Sequence, residues 1–202
     1  VLKFLNEKMK KVSFLVAALA VSSLSVSAQK AYEGTRFLDN WQVGVTVEDR
    51  PVVAAALKKA EETSLPAVAL QLSDGQIVTG KTSSLLGPAS AMLLNSLKIL
   101  AGIPDSIDLI SSTIIEPIQR LKTEIMGNHN PRLHTDEVLI ALSMCAVTSD
   151  VAKKALGQVK NLAGLEAHSS VILSRVDEQV FRKLGVNITC EPKYQTKKLY
   201  HN

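Results

Sequence analysis

Residues 66–100 read PAVALQLSDGQIVTGKTSSLLGPASAMLLNSLKIL, and this stretch decides the fold. Two short apolar runs, Pro66–Leu72 and Ile77–Thr79, flank Asp74-Gly75, a dipeptide typical of tight hairpin turns. A long apolar helix follows, and Gly87-Pro88 marks its start. The stretch therefore predicts an antiparallel hairpin followed by a helix.

Strand and helix patterns continue to alternate on both sides of the hairpin. Glu48–Pro51 places acidic residues before a proline, which predicts the start of a preceding helix. Further strands are predicted at Ile107–Ser111, Glu166–Leu173 and Val186–Glu191. Further helices are predicted at Thr113–Met126, Thr135–Ala146, Thr148–Leu162 and Asp177–Leu184. This alternation predicts an α/β domain over residues 48–202, with three layers (α/β/α) around a mixed sheet.

The composition fits one domain of ordinary size with an aliphatic core, since 46% of the 202 residues are hydrophobic and only 4% are aromatic. Four lysines and one glutamate lie within residues 1–28, so the remaining 19 basic and 18 acidic residues leave a net charge of +1. This balance gives no electrostatic footprint for nucleic acid, and no apolar run is long enough to span a membrane. We therefore predict that the body binds neither nucleic acid nor a membrane. Cys145 and Cys190 are expected to be buried, reduced thiols.

Residues 1–28 contain the three parts of an export signal. Met9-Lys10-Lys11 is basic, Val12–Val21 is apolar, and Val26-Ser27-Ala28 carries the small residues of a cleavage site. The residues Val1–Lys8 precede this pattern, and no signal peptide needs them. We therefore expect a leader with extra upstream residues that would direct export.

Residues 29–47 form a short segment that ends in Trp41–Val47, where large apolar residues alternate with small or polar ones, as in a strand. With the leader, this segment resembles the start of an outer-membrane β-barrel protein of the OmpA kind from Bacteroidetes-type bacteria. We expect a barrel-like or disordered segment that joins an unrelated body near Val47. The chain is then a hybrid, and its body is a truncated C-terminal part of a longer protein.

Gly75–Thr82 matches the phosphate-binding pattern Gly-x4-Gly-Lys-Thr in its residue types. A loop of that kind needs a compact nest followed by a helix, whereas here the first glycine lies in a hairpin turn and Ile77–Thr79 favours a strand. We therefore interpret Ile77–Thr79 as a strand and Gly80–Leu86 as a loop. Lys81, Thr82 and Ser83 are candidates for holding an anion in a polar loop, and the alternative is a connecting loop capped by its hydroxyl groups.

Residues 128–137, NHNPRLHTDE, form the densest polar cluster of the chain. Such a loop before a helix suits anion binding or proton transfer by a histidine. The candidate ligand-binding residues are Asn128, Arg132, His134, Asp136 and Glu137. Alternatively, the acidic residues only begin the helix. His134 and Glu137 could share a metal on one helix face, but no third ligand is evident, so neither a metal site nor a cofactor is predicted.

Loops at one edge of a three-layer domain converge, so Lys81, Arg132 and His134 could line one anion pocket. His168, on a predicted strand, is either a further member of this pocket or a hydrogen-bonded structural residue. The first hypothesis is a domain that binds, or acts on, a phosphorylated or nucleotide-like molecule. The second is a structural or homo-oligomerisation domain without activity of its own, which a large exposed apolar face on Pro88–Leu100 would favour. The sequence leaves open whether the protein is an enzyme.

Five stretches of the body resemble the C-terminal part of a bacterial family known as domain of unknown function 1846. They are Glu48–Val53, Val78–Gly87, Asn130–Leu142, Glu166–Ser169 and Gln195–His201. The resemblance implies that the body is cytoplasmic and that longer members carry preceding domains. It implies no particular activity.

The hairpin and the helix after it are also similar to the opening of the cytidine-deaminase fold. Those enzymes carry a Cys or His, any residue and then a Glu on the first helix, and Pro-Cys-x-x-Cys on the next. Here the first helix reads Ala89-Ser90-Ala91-Met92, and no Pro-Cys-x-x-Cys follows. The resemblance implies a deaminase-like topology without the zinc chemistry.

Overall fold

A four-stranded mixed sheet forms the centre of the part of the chain that the computed structural model describes, residues 49–195. The strands are β1 (Ala67–Gln71), β2 (Ile77–Lys81), β3 (Glu166–Ser169) and β4 (Asn187–Cys190). Their order across the sheet is β2-β1-β3-β4, where β1 is antiparallel to β2 and β3, and β3 is parallel to β4. The predicted leader (residues 1–28) and barrel-like segment (residues 29–47) lie outside the described residues.

The predicted hairpin joins β1 to β2. Gly75 has a φ of +87°, which favours glycine, and the amide of Gln76 donates to the Asp74 carboxylate at 2.9 Å. The turn therefore has the chemistry that Asp-Gly indicated.

Helices cover both faces of the sheet. They are α1 (Pro51–Thr63), α2 (Pro88–Leu100), α3 (Ser112–Arg120), α4 (Thr135–Cys145), α5 (Asp150–Leu156) and α6 (Arg175–Lys183). A π-helical turn, Leu121–Ile125, continues α3, and a 3₁₀ turn, Val159–Leu162, follows α5. On one face, Ala69 packs against Val52, Val53 and Ala56 of α1. On the other, the neighbouring Val68 and Leu70 join a larger aliphatic core, since successive strand residues point to opposite faces. The α/β class and mixed sheet are confirmed, whereas the deaminase-like topology stays a prediction.

Gly80 is the second glycine of the phosphate-binding pattern, and helix packing explains why a glycine is needed there. Strand β2 continues through Lys81, and a Cβ atom built on Gly80 would lie 2.0 Å from the Met92 nitrogen and 2.5 Å from its Cα. The glycine lets the backbone of α2 approach the strand, which is a common reason for glycine in a strand. The strand predicted at Ile77–Thr79 is confirmed, whereas the loop predicted from Gly80 begins only after Lys81.

Several predicted element bounds are wrong. Residues Ile107–Ser111 form a loop and not a strand, because Leu109 and Ile110 fill the core without pairing to a neighbouring strand. Helix α3 is capped by Ser111, two residues before the predicted cap, Thr113. The helix predicted to reach Leu162 breaks at Gly157 and resumes as a 3₁₀ turn.

The strand predicted over Glu166–Leu173 ends early, at Ser169. The Ser169 hydroxyl donates to the Val171 carbonyl at 2.7 Å, which turns the chain away from the sheet. Cys145 and Cys190 are both buried, as expected. No helix within residues 49–195 combines the length and apolar character that crossing a bilayer requires.

Candidate functional site

The two polar loops that the sequence singled out lie side by side. Leu86 and Leu133 form a parallel β-bridge. The Leu133 amide donates to the Leu85 carbonyl at 3.0 Å, and the Gly87 amide donates to the Leu133 carbonyl at 3.2 Å. The Ser90 hydroxyl, in the first turn of α2, reaches the same carbonyl at 2.9 Å. The segment before α2 and the segment before α4 therefore lie side by side and form one polar edge of the domain, which we call the loop edge.

Arg132 connects these two segments. Its Nε donates to the Ser83 carbonyl at 2.7 Å, and its backbone amide donates to the Asn130 side chain at 3.2 Å. Within residues 49–195, its two terminal nitrogens, Nη1 and Nη2, have no hydrogen-bond acceptor, and the side chain forms no ion pair. A guanidinium that is fixed at Nε and open at its fork suits a phosphate or carboxylate.

Ser83 and Thr82 have structural partners. The Ser83 hydroxyl accepts from the amides of Leu85 and Leu86 at 3.2 and 3.0 Å. Thr82 is buried, and its hydroxyl donates to the Pro66 carbonyl at 3.2 Å. These hydroxyl groups hold the loop, as the alternative interpretation of the segment stated.

Lys81 ends strand β2 and its side chain is exposed. Because Gly80 faces α2, strand alternation places the Lys81 side chain on the face that α1 covers. Membership of Lys81 in an anion pocket stays a prediction.

His134 is the N-cap residue of α4 and forms a pair with Asp177. His134 Nδ1 lies 3.1 Å from Asp177 Oδ2 and 3.3 Å from the Ser174 hydroxyl. The imidazole side chain is 28% exposed and the carboxylate 8%. The hydrogen bond that His134 donates to Asp177 raises the pKa of His134 above its usual value, against the opposing effect of burial.

Asp177 is held by several donors. Its Oδ1 accepts from the amide and hydroxyl of Thr135, both at 2.9 Å, and its Oδ2 accepts from the Ser174 hydroxyl at 2.7 Å. Burial raises its pKa, but the hydrogen bond from His134 and the other donors outweigh this, so the pKa of Asp177 is lowered. The carboxylate is therefore ionised at neutral pH and fixes the imidazole.

Sequence reasoning missed Asp177 and Lys122. Ser174-Arg175-Val176-Asp177 begins α6 with the Ser-x-x-Asp pattern, which signals a helix start and not a histidine partner. Lys122 lies in the π-helical turn and is 4% exposed. Because the pairing partners are distant in the sequence, no local pattern reports them.

Lys122 supports the segment that carries Arg132 and His134. Its Nζ donates to the Arg132 carbonyl and to Glu137 Oε2, both at 2.6 Å. The same Glu137 oxygen accepts the backbone amide of His134 at 2.8 Å. The candidate residue Glu137 is thus paired internally and holds the loop in place.

The remaining candidates of the second loop act locally or are exposed. Asp136 accepts the Glu137 amide at 2.8 Å, which is typical of a residue in the first helical turn. Asn128 is exposed, and its amide donates to the Lys122 carbonyl at 2.9 Å. Within residues 49–195, no group of three or more His, Cys, Asp and Glu side chains is arranged to hold a metal ion.

The structure does not bring His168 to this edge. His168 is fully buried, pairs in register with Ala69, and therefore lies on the face that α1 covers. Its Nδ1 is 2.8 Å from the Thr189 hydroxyl, and its Nε2 is 3.4 Å from Glu191 Oε1. Arg50 donates to the same hydroxyl at 2.8 Å. These contacts agree with the structural role considered for His168.

The charges around the loop edge leave Arg132 uncompensated. Asp177 faces His134, and Glu137 faces Lys122. Arg132 and His134 flank the fully buried Leu133 in the segment before α4, and both side chains reach solvent. The edge thus presents a fixed guanidinium and a partly exposed imidazole together. A separate cavity of about 250 Å³, between β2 and the end of α2, is lined by none of the candidate residues.

The chain is similar to known proteins over nearly the whole described region. Residues 48–200 match the family model described as domain of unknown function DUF1846, C-terminal. A UPF0371 protein of Corynebacterium efficiens is 62% identical over 159 residues, which is 79% of this chain and 32% of the relative. A UPF0371 protein of Streptococcus pyogenes is 54% identical over 158 residues, which is 78% of this chain and 32% of the relative. The chain thus spans about a third of the length of the curated relatives it matches, and it belongs to the DUF1846 family through the C-terminal domain of that family.

Proposed function

We propose that this domain binds a small phosphorylated or nucleotide-like molecule at the edge formed by Ser83, Arg132 and His134. The observation that carries the proposal is Arg132, whose Nε is fixed on the Ser83 carbonyl at 2.7 Å while its fork has no acceptor within residues 49–195. Two parallel N–H donors of this kind match two oxygens of a phosphate.

The surrounding charges support an anionic ligand. Lys122 and Glu137 form an ion pair at 2.6 Å, and Asp177 is already paired with His134. A phosphate at the edge would meet Arg132 and the imidazole of His134, whose pKa is raised by its hydrogen bond to Asp177, without an unpaired carboxylate among these groups. Lys81, exposed at the end of β2, is proposed as an additional cation that attracts the ligand.

The test is a calorimetric titration of the full chain with inorganic phosphate and with nucleoside mono-, di- and triphosphates. Arg132→Ala is expected to weaken binding by about 1.5–3 kcal/mol, the range for a lost charged hydrogen bond. Arg182→Ala is the matched control, because Arg182 is exposed and, among residues 49–195, its one ion-pair partner is Glu178, one turn away on α6. Equal affinity of the Arg132→Ala variant and the wild type would contradict the proposal.

The second candidate function is a homo-oligomerisation domain. The apolar side chains of α2 are mostly buried, so that helix gives no support. Helix α4 and the residues after it support oligomerisation, because they expose three apolar side chains at helical spacing. Ile140, Met144 and Val147 are 61, 65 and 83% exposed. Sedimentation velocity of the wild type and of Met144→Lys tests this role, and a concentration-independent monomer in both would exclude it.

We also propose that residues 1–28 are an export leader joined to a cytoplasmic body, which makes the chain a hybrid. The basic, apolar and small-residue parts of residues 1–28 support export, and the cytoplasmic location of the body is what the resemblance to the family implies. N-terminal sequencing of the protein isolated from cells is expected to begin at Gln29. Exported protein that still contains residues 9–28 would contradict the leader.

A further inference from the structure

We propose that His134 is a general acid that protonates the leaving oxygen of a phosphate monoester held by Arg132, so that the edge hydrolyses phosphate monoesters. This inference rests on the anion site proposed above and adds a reaction to it. It concerns the chemistry of the His134–Asp177 pair, which anion binding alone does not require.

The orientation of the imidazole is the first support. Its Nδ1 is engaged by Asp177 Oδ2 at 3.1 Å and by the Ser174 hydroxyl at 3.3 Å. Within residues 49–195, these side-chain contacts of the ring are made by Nδ1 and not by Nε2, and the side chain is 28% exposed. A histidine whose Nδ1 proton is held by a carboxylate presents Nε2 for proton transfer.

The second support is the rigidity of Asp177. Thr135 donates to it twice at 2.9 Å, and Ser174 donates once at 2.7 Å, so the carboxylate is fixed from both α4 and α6. Asp177 touches no ligand in this proposal and is therefore a positioning residue. Precise placement of the acid is what makes proton transfer effective.

The third support is the neighbouring cation. Arg132 and His134 flank the fully buried Leu133 in the segment before α4, and both side chains reach solvent. Arg132 would hold two nonbridging oxygens of the phosphoryl group, and the bridging ester oxygen would then lie toward His134. Stabilisation of phosphoryl charge by a guanidinium is a recurring part of phosphoryl transfer.

The reaction balances with water as the only co-reactant. The bond between phosphorus and the ester oxygen breaks, and the proton on His134 Nε2 moves to that oxygen to form the alcohol. The water oxygen forms the new bond to phosphorus and gives inorganic phosphate. The proton that the attacking water loses returns to Nε2, so the imidazolium is restored.

The charges around His134 favour its protonated form, which suits a general acid and not a general base. From α6, Asp177 faces the ring; from the π-helical turn and α4, Lys122 and Glu137 lie near it with opposite effects. The hydrogen bond and charge of Asp177 outweigh burial, so the pKa of His134 is raised. The imidazolium form therefore persists to higher pH than in an ordinary histidine.

The experiment compares two substrates of the full chain, phenyl phosphate and p-nitrophenyl phosphate. Phenolate is the poorer leaving group and needs the proton, whereas p-nitrophenolate leaves without it. His134→Gln is expected to lower phenyl phosphate hydrolysis by about 10²-fold or more, the usual contribution of a general acid, and to affect p-nitrophenyl phosphate much less. His129→Gln, an exposed histidine of the same loop, is the matched control. Equal losses on both substrates would overturn the acid role.

Asp177→Asn supplies an independent readout. Activity that depends on an imidazolium falls as pH rises through the pKa of His134, and removing the carboxylate lowers that pKa. The basic limb of the pH profile is therefore expected to move to lower pH, and an unmoved limb would overturn the positioning role. If either variant fails to fold, an NMR titration of the wild-type His134 ring with phosphate replaces it, and an unchanged ring signal at saturation would overturn the proposal.

The failures of the two proposals are distinguishable. Phosphate binding that is weakened by Arg132→Ala, without ester hydrolysis above the buffer rate, overturns the general acid and leaves the anion site. Absence of phosphate binding overturns both. The structural role of Asp177 would then account for the His134–Asp177 pair.

Discussion

Gly80→Ala is the sharpest test of why the chain carries a phosphate-binding pattern that is not a phosphate-binding loop. The new Cβ would lie 2.0 Å from the nitrogen and 2.5 Å from the Cα of Met92, and 2.6 Å from the carbonyl carbon of Ala91. All three are backbone atoms of α2, so no side-chain rotation relieves the contact. Ordinary contact distances of about 3.5 Å require the helix to move by about 1.5 Å.

The expected cost follows from that movement. Helix α2 carries the fully buried Met92, Leu93 and Leu97, so displacing it loosens the core beside β2. Overpacking of a core costs typically 1–3 kcal/mol, and contact with rigid backbone on this scale is expected to reach about 3 kcal/mol. In a chain of this size that lowers the melting temperature by about 6–12 °C.

Gly75→Ala is the matched control, since it changes the first glycine of the same pattern. No atom lies within 4 Å of its new Cβ, and the cost comes only from a φ of +87°, about 1 kcal/mol. Urea unfolding followed by circular dichroism measures both variants. A Gly80→Ala variant as stable as Gly75→Ala would refute the packing explanation. Loss of phosphate binding in Gly75→Ala would show instead that the pattern is a phosphate nest.

Asp177→Ala is expected to lower the free energy of unfolding by about 3–5 kcal/mol, because it leaves His134 and the Thr135 amide without their buried partner; urea unfolding measures it, and a change below about 1 kcal/mol would contradict this account. The pKa of Asp177 is lowered in the folded state, so the stability that Asp177 contributes is present above its unfolded pKa and is lost as pH falls through the folded pKa. The pKa of His134 is raised in the folded state, so the stability that His134 contributes is complete below its unfolded pKa and is lost as pH rises through the folded pKa. Unfolding of wild type and Asp177→Asn across pH 3–8 is expected to show both slopes only in the wild type, and parallel curves would refute the assignment. Lys122→Met is expected to lower the free energy of unfolding by about 2 kcal/mol and to loosen the segment that carries Arg132. Adding Glu137→Gln to the same chain is expected to relieve part of this loss, and losses that simply add in the double variant would contradict the coupling of the two residues.

Local patterns in the sequence predicted the elements that depend on neighbouring residues. The Asp74-Gly75 turn, the Gly87-Pro88 helix start and the helix that begins at Thr135 all follow from backbone preferences over a few residues. The loop at residues 107–111 was wrongly predicted as a strand. Leu109 and Ile110 are buried by packing, and an apolar run alone does not distinguish a strand from a buried loop.

The candidate site was only partly predictable for the same reason. Arg132 and His134 were identified because polar residues cluster before a helix, but their geometry depends on partners far along the chain. Asp177 is 43 residues from His134, and Ser83 is 49 residues from Arg132. Nothing in the local sequence distinguishes Asp177 from any acidic residue in a first helical turn.

The double hydrogen bond between Thr135 and Asp177 has a consequence for hydrogen exchange. An amide in the first turn of a helix has no acceptor within that helix and usually exchanges rapidly with solvent. The Thr135 amide is fully buried and bound to a carboxylate of α6, so its hydrogen exchanges only when α4 and α6 separate. The exchange rate of this single amide therefore measures how often the two helices part, and a molecule that binds His134 and tightens its pair with Asp177 is expected to slow it.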